Sequence, residues 1–337
     1  MKILTGFLIG FLVSFTFISC SKDNTVIPPD TTNNLIYFYD RKENGNLHVY
    51  SYDGTAEKNL VNDATNDYWW IKVSPDKTRF LCYRSPKNDG LNSYTVSDLM
   101  VFNIDGTHGQ VIVAKGANGW ELQAHAKWSP DGTQILGTAK CKDPSINDMV
   151  SRGRLVVFNA DGTNPKIISK YLYDLADPAW SPDGKKVTYV GPSDLNDPAN
   201  TEKAEIFQAT LNPVTQLMEN QVRLTFDDKY CYDPAWSPDG QWIAYSKGAF
   251  INLFFTQDHD IYKCKPDGSA DVLVLHDGKV NGVPSWTPDG SRLLFHVIGY
   301  FNPPPFSLFS CSANGNDKKQ VLATGGVERT TVSAILK

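Results

Sequence analysis

WSPDG at residues 128–132 returns at 180–184 and 236–240, as WTPDG at 286–290, and in worn form as VSPDK at 73–77. Proline presets φ for the second position of a type I turn and aspartate suits the third. Glycine accepts the left-handed conformation that a three- to four-residue hairpin needs. Each copy is expected to join two antiparallel strands. An apolar or alternating run follows every turn, at Arg79–Tyr83, Gln134–Gly137, Lys186–Val190, Trp242–Ser246 and Arg292–His296. Most units continue into a second hairpin closed by Asp-Gly: DLMVFNIDG at 98–106, RLVVFNADG at 154–162 and DIYKCKPDG at 260–268. The unit beginning at Glu205 has a longer connection at 212–221 instead. One unit is therefore four short antiparallel strands, A to D in chain order.

The turn prolines stand at 75, 130, 182, 238 and 289, steps of 55, 52, 56 and 51 residues. Four-stranded sheets at that period cannot bury both faces alone, and they stack around an axis as the blades of a β-propeller. Five blades are visible directly. A sixth is divided between the chain ends: LIYFYD (35–40) matches strand B, NLHVYSYDG (46–54) matches strand C and its turn, and VERTTVSAIL (327–336) can supply strand A. The expected fold is an all-β, six-bladed propeller over 35–337, its first blade closed by the C-terminal strand so that few sheet edges are left.

The 337 residues are 41% hydrophobic and 20% charged, the make-up of a folded globule, with a formal net charge of −5. No basic run is present, so nucleic acid is excluded as a partner. Residues 1–20 place Lys2 before an apolar stretch from Gly6 to Ile18, a secretory signal too short for an ordinary membrane span. The ending Phe17-Ile18-Ser19-Cys20 resembles the bacterial lipobox, with phenylalanine where leucine is usual. The resemblance implies a diacylated Cys20 and a lipid anchor as the sole membrane attachment. The alternative is a plain secreted protein. Residues 21–34 are polar, carry two prolines and read as a tether, and their Ser-Lys-Asp start is similar to the surface-export signal of Bacteroidetes lipoproteins. The expected place is the bacterial cell envelope, on the periplasmic or outer side of the outer membrane. The five later cysteines, without a CxxC pair, are read as apolar fillers rather than a disulfide framework or zinc site.

AWSPDG, then a strand, then D-[IL]-x5-DG resembles the WD40-like repeat of TolB-type propellers over about nine-tenths of the chain. Function is not implied by that fold. The α/β domain of TolB has no counterpart between Cys20 and Leu35. The G-x-S-x-G elbow of the prolyl oligopeptidase and dipeptidyl peptidase relatives does not occur.

Trp128, Trp180, Trp236 and Trp286 are expected to pack between blades, and Asp131, Asp183, Asp239 and Asp289 to serve their turns. The A–B and C–D turns share one side of the disc. Recognition is therefore assigned to the opposite, upper side, where long B–C segments gather (84–96, 139–153, 191–204, 247–259, 297–306). Aromatics cluster there and in the D–A connections, among them Tyr68, Trp69, Trp70, Trp120, Tyr232, Phe254 and Tyr300. They suit sugar faces, a peptide or an envelope protein, and the alternative is that they pack the loops. His125, Asp177 and Asp233 stand three residues before a blade tryptophan, with Trp70 at the same point of the worn repeat. Such a ring can bind hydroxyls or a divalent cation, or the two aspartates can cap amides ahead of Pro178 and Pro234. His259, His276 and His296 map to the same face. The oligogalacturonate lyases resemble this layout and use a histidine-bound metal for β-elimination. The primary expectation is a non-catalytic, monomeric binding lipoprotein with no cofactor. The alternative is a polysaccharide lyase or hydrolase with a metal or acid/base site at the channel mouth.

Overall fold

The computed structural model describes residues 34–41, 47–53, 56–87, 97–122, 125–194, 204–227, 229–251, 254–255, 259–298, 306–323 and 333–336. The leader, Cys20, nearly all of the tether, and Tyr300 lie outside the described residues. Six antiparallel sheets form a β-propeller. Blade 1 is ordered Ser333–Leu336, Asn34–Arg41, Leu47–Tyr52, Glu57–Asn59, with Leu35 opposite Ile335. Blade 2 runs from Asn66–Val73 through Arg79–Pro86 and Asp98–Asn103 to Gln110–Val113. The inner strands of blades 4, 5 and 6 are Ala176–Trp180, Tyr230–Trp236 and Val280–Trp286. In blade 3 the inner edge is two short pieces, Glu121–Leu122 and Lys127–Trp128, both paired with Gln134–Asp143.

The turns follow their local chemistry. In each Ser/Thr-Pro-Asp turn the hydroxyl donates to the aspartate, at 2.5 to 2.6 Å, and accepts the amide that opens strand B, as Ser129 Oγ does from Gln134 at 2.9 Å. The glycines adopt φ of 69 to 71°, and Lys77 holds the same left-handed conformation at 61° in the worn copy. The Asp-Gly turns between strands C and D do a second job. A Cβ on Gly106, Gly162 or Gly315 would fall within 2.0 Å of a carbonyl oxygen in strand D of the preceding blade or just after it, so backbone there touches backbone.

Apolar layers fill the spaces between blades. Ile36, Phe38 and Tyr50 of blade 1 pack with Leu294, Leu308 and Leu322 of blade 6, so the ring of contacts returns to its start. Aromatic pairs bridge strands B and C in five blades, from Phe80–Phe102 at 5.2 Å to Phe295–Phe309 at 6.4 Å. Burying one such ring stabilises by about 2 kcal/mol. The five cysteines after Cys20 are free and buried.

One expected loop is a ribbon. Residues 139–153 continue strands B and C as Gln134–Asp143 and Asp148–Asn159, turned by a single 3-10 turn at Pro144–Ile146. The buried Arg154 fastens its base by donating to Asp148 and to the carbonyls of Cys141 and Tyr171. Within 247–259 a small hairpin pairs Phe250–Ile251 with Phe254–Phe255.

Candidate functional site at the mouth of the channel

Each inner strand breaks register at the same point. Pairing skips between Trp69 and Lys72, Ala176 and Ala179, Tyr232 and Ala235, and Gly282 and Ser285. The first unpaired residue is left-handed in every case: Trp70 at φ 59°, Asp177 at 48°, Asp233 at 56° and Val283 at 52°, with His125 at 83° in blade 3. This is a β-bulge that re-aims one side chain per blade. In three blades the next residue is Pro178, Pro234 or Pro284, which has no amide to leave unpaired. The Asp-Pro-Ala-Trp spelling is thus bulge chemistry.

The bulges bring three polar side chains together. His125 Nδ1 bonds Asp177 Oδ1, its Nε2 lies 3.8 Å from Asp233 Oδ1, and the Asp233 amide donates to Asp177 Oδ2 at 3.5 Å. Asp177 therefore reaches the next blade instead of capping locally. Burial pushes the Asp177 carboxyl upward, but His125 and then Lys127 outweigh it and hold the group below its ordinary value. Trp70 walls the site, its indole edge-on to His125 at 4.3 Å and its N–H donating to the Ala126 carbonyl at 3.2 Å. Ligand atoms of His125, Asp177 and Asp233 lie within 4.8 Å of one another. That nitrogen-and-carboxylate set fits a divalent cation in type and spacing.

The remaining predicted residues divide differently. Tyr68, Trp69 and Trp120 are buried. Trp69 is fully enclosed, stacked on Tyr83 at 4.7 Å and donating to Ser85, so it cannot offer a face to a ligand. Tyr68 donates to Asp63 at 3.0 Å. The reason is that strand A of blade 2 starts at Asn66, so these aromatics belong to the sheet and not to a loop. Tyr232 is half-buried and bonds His259 Nδ1, while His259 Nε2 donates to the Ala249 carbonyl at 2.8 Å. Both ring nitrogens of His259 are thereby used in structure. His296 is buried, and His276 pairs with Asp260 at 2.9 Å. Phe254 sits in the upper hairpin.

The blade tryptophans lace neighbours together. Trp128 donates to the Lys72 carbonyl at 3.0 Å and Trp286 to the Ala235 carbonyl at 3.0 Å. Trp236 reaches Thr188 Oγ1 at 3.2 Å, and Thr188 in turn donates to Ala179. The buried N–H of Trp180 has no partner. Toward the turn side the channel opens into a cavity of about 310 Å³, lined by the four tryptophans, the turn prolines, Lys72 and Lys127. The sequence reading missed this chamber. Its signal was present, since both lysines immediately precede the blade-tryptophan position.

No protein-family model matches the chain. An uncharacterised protein of Agrobacterium fabrum is 26% identical over 169 residues, half of this chain and 48% of the relative. A TolB homologue of Chlorobium luteolum is 32% identical over 76 residues, 23% of this chain and 16% of the relative. The chain thus spans less than half of the curated relatives it matches. Among solved structures, TolB from Acinetobacter baumannii superposes with a TM-score of 0.66 at 15% identity, over 91% of this chain and 67% of that one. The chain has the TolB-type propeller fold. Other folds of this kind are an oligogalacturonate lyase in complex with manganese (TM-score 0.56, 15% identity, 86% and 74% covered) and a chain of a nidogen/laminin complex (0.61, 8%, 89% and 98%). At these identities the likeness is one of fold, and the TolB-type scaffold leaves the site to be judged on its own groups.

Proposed function

We propose that this chain is a non-catalytic binding propeller of the bacterial envelope, held to the outer membrane by a lipid on Cys20, that recognises an envelope protein or peptide through the upper mouth of its channel. The carrying observation is the cluster of His125, Asp177 and Asp233, three side chains from successive blades turned inward by the same backbone device. Two buried carboxylates and an imidazole accept hydrogen bonds from a basic side chain, a chain amino terminus or the hydroxyls of a glycan. Trp70 bounds the site and Tyr232 and Phe254 lie on the same side, so a ligand would meet a polar centre with an aromatic surround. The nidogen/laminin structure supports the reading to the extent that a propeller of this shape occurs in a protein complex. The test compares binding by the wild type and by the Asp177→Asn/Asp233→Asn variant to a set of lysine- and arginine-bearing peptides and of oligosaccharides. Ligands that lose at least tenfold in affinity with the variant support the proposal. Ligands held equally by both would end it.

A second reading is favoured by the 4.8 Å spacing of the three ligand atoms. His125, Asp177 and Asp233 would hold a divalent cation such as manganese, which would supply Lewis acidity to a polysaccharide lyase, while the His125–Asp177 pair would hold or move a proton. Calorimetric titration with manganese separates the two. Stoichiometric uptake that disappears in Asp233→Asn supports the metal site, and its absence leaves the binding reading.

A further inference from the structure

Two residues below the bulge, the positions facing the axis are Lys72, Lys127, Ala179, Ala235 and Ser285. Neighbouring blades 2 and 3 supply ammonium groups, the other three supply small side chains, and the space those side chains leave is the 310 Å³ chamber. We propose that this turn-side end of the channel binds the terminal carboxylate of a peptide chain, held between Lys72 and Lys127 with its last side chain against the indoles of the blade tryptophans. The site lies at the opposite end from the His125 cluster and does not depend on the reading given for that cluster.

The charge arrangement supports an anion here. Burial, and then repulsion from Lys127, push the Lys72 ammonium down to about 7, with Asp233 in the ring above opposing. Lys127 is lowered by burial against the pull of Asp233 and Asp177, and it donates to the Pro234 carbonyl at 3.2 Å. The ring's carboxylates are engaged with His125, so two cations share a dehydrated chamber. A carboxylate placed between them would relieve that repulsion and accept charge-assisted hydrogen bonds.

The walls select the kind of anion. Beyond the two lysines the lining is indole, proline and alanine, and Ser285 brings the one hydroxyl among the described lining residues. That suits an apolar terminal residue, whereas a uronic acid would bury several hydroxyls without partners. The volume lies at the small end of ligand sites and accommodates one or two residues.

The test titrates the full chain with acetyl-Ala-Ala-Leu as the free acid and as the amide, and with galacturonic acid and its methyl ester, following tryptophan fluorescence and heat. The free-acid peptide is expected to bind at least tenfold more tightly than the amide. Lys72→Gln/Lys127→Gln should abolish that preference and Lys72→Arg should retain it. Ser285→Trp keeps both charges and fills the chamber, so it should lose binding with the fold intact by circular dichroism. Equal binding of acid and amide, a preference that survives the double variant or Ser285→Trp, or discrimination confined to galacturonic acid would each overturn the proposal.

Discussion

The two ends of the channel are built on opposite plans. At the turn end four blades repeat Ser/Thr-Pro-Asp-Gly, and each glycine lies 3.7 to 3.9 Å from the turn proline of the blade before it. At the upper end the backbone repeats just as strictly, with five left-handed residues at five bulges, but the side chains are Trp, His, Asp, Asp and Val. Repetition of sequence marks what the ring needs in order to stand. Repetition of backbone with varied side chains marks what the ring presents.

That contrast is tested most severely where glycine is required twice over. In Gly162→Ala the new Cβ would lie 1.8 Å from the Ile112 carbonyl oxygen of the neighbouring blade, at a φ of 84°. In Gly132→Ala the φ of 71° is similar but the nearest atom is 3.7 Å away. Urea unfolding should show a loss of about 4 kcal/mol for Gly162→Ala and about 1 kcal/mol for Gly132→Ala. Equal losses would mean that blade contact at the Asp-Gly turns carries nothing.

The tryptophans give a finer comparison within one repeated position. Trp128→Phe removes a hydrogen bond to the Lys72 carbonyl and leaves that acceptor unpaired, which should cost about 1 to 2 kcal/mol. Trp180→Phe removes a buried N–H that has no partner, and its cost should be near zero once the change of ring size is allowed for. Chemical denaturation of both variants checks the difference, and a larger loss for Trp180→Phe would contradict the assigned partners.

Lys77 is the place where repetition has lapsed. It holds φ 61° where its counterparts are glycine. Lys77→Gly should stabilise the protein by about 0.5 kcal/mol, the relief of a left-handed side chain less the entropy glycine adds to the unfolded chain. A melting temperature that falls would show that Lys77 makes a contact worth more than its strain.

The architecture was legible because its signals are local. Proline, aspartate and glycine fix a turn within five residues, and four further copies in register turn a hairpin into a ring. The ring of Trp70, His125, Asp177 and Asp233 was legible for the same reason, by counting back from each tryptophan. Lys72 and Lys127 sit at an equally countable position, yet cations inside a channel run against the rule that charges face water, and so the count stopped one layer short. Trp69 and Tyr68 were placed on the surface because nothing local separates a loop aromatic from one in a strand prolonged by a bulge. The ribbon at 139–153 was read as a loop for a related reason: its Asp143–Arg154 region is held by ion pairs, Arg154 with Asp148 and Lys170 with Asp143 at 2.9 Å, and not by an apolar pattern.

The mildest effect belongs to the turn aspartates, and it discriminates by pH. Hydrogen bonds from Ser129, Ser181, Ser237 and Thr287 hold the carboxyls of Asp131, Asp183, Asp239 and Asp289 below their ordinary range. A carboxyl lowered on folding contributes its stability above the unfolded value, near 3.9, and loses it as pH falls through the folded one. Asp131→Asn keeps the shape and deletes the titration. Because the group is largely exposed and screened, the wild type should melt only about 1 °C above Asp131→Asn at pH 7. The gap should close as the pH drops below about 4, where the carboxyl takes up its proton. A gap that stays constant with pH would mean that the turn uses the aspartate for its geometry alone, and the repeated Ser-Pro-Asp-Gly would then be a steric device with no electrostatic part.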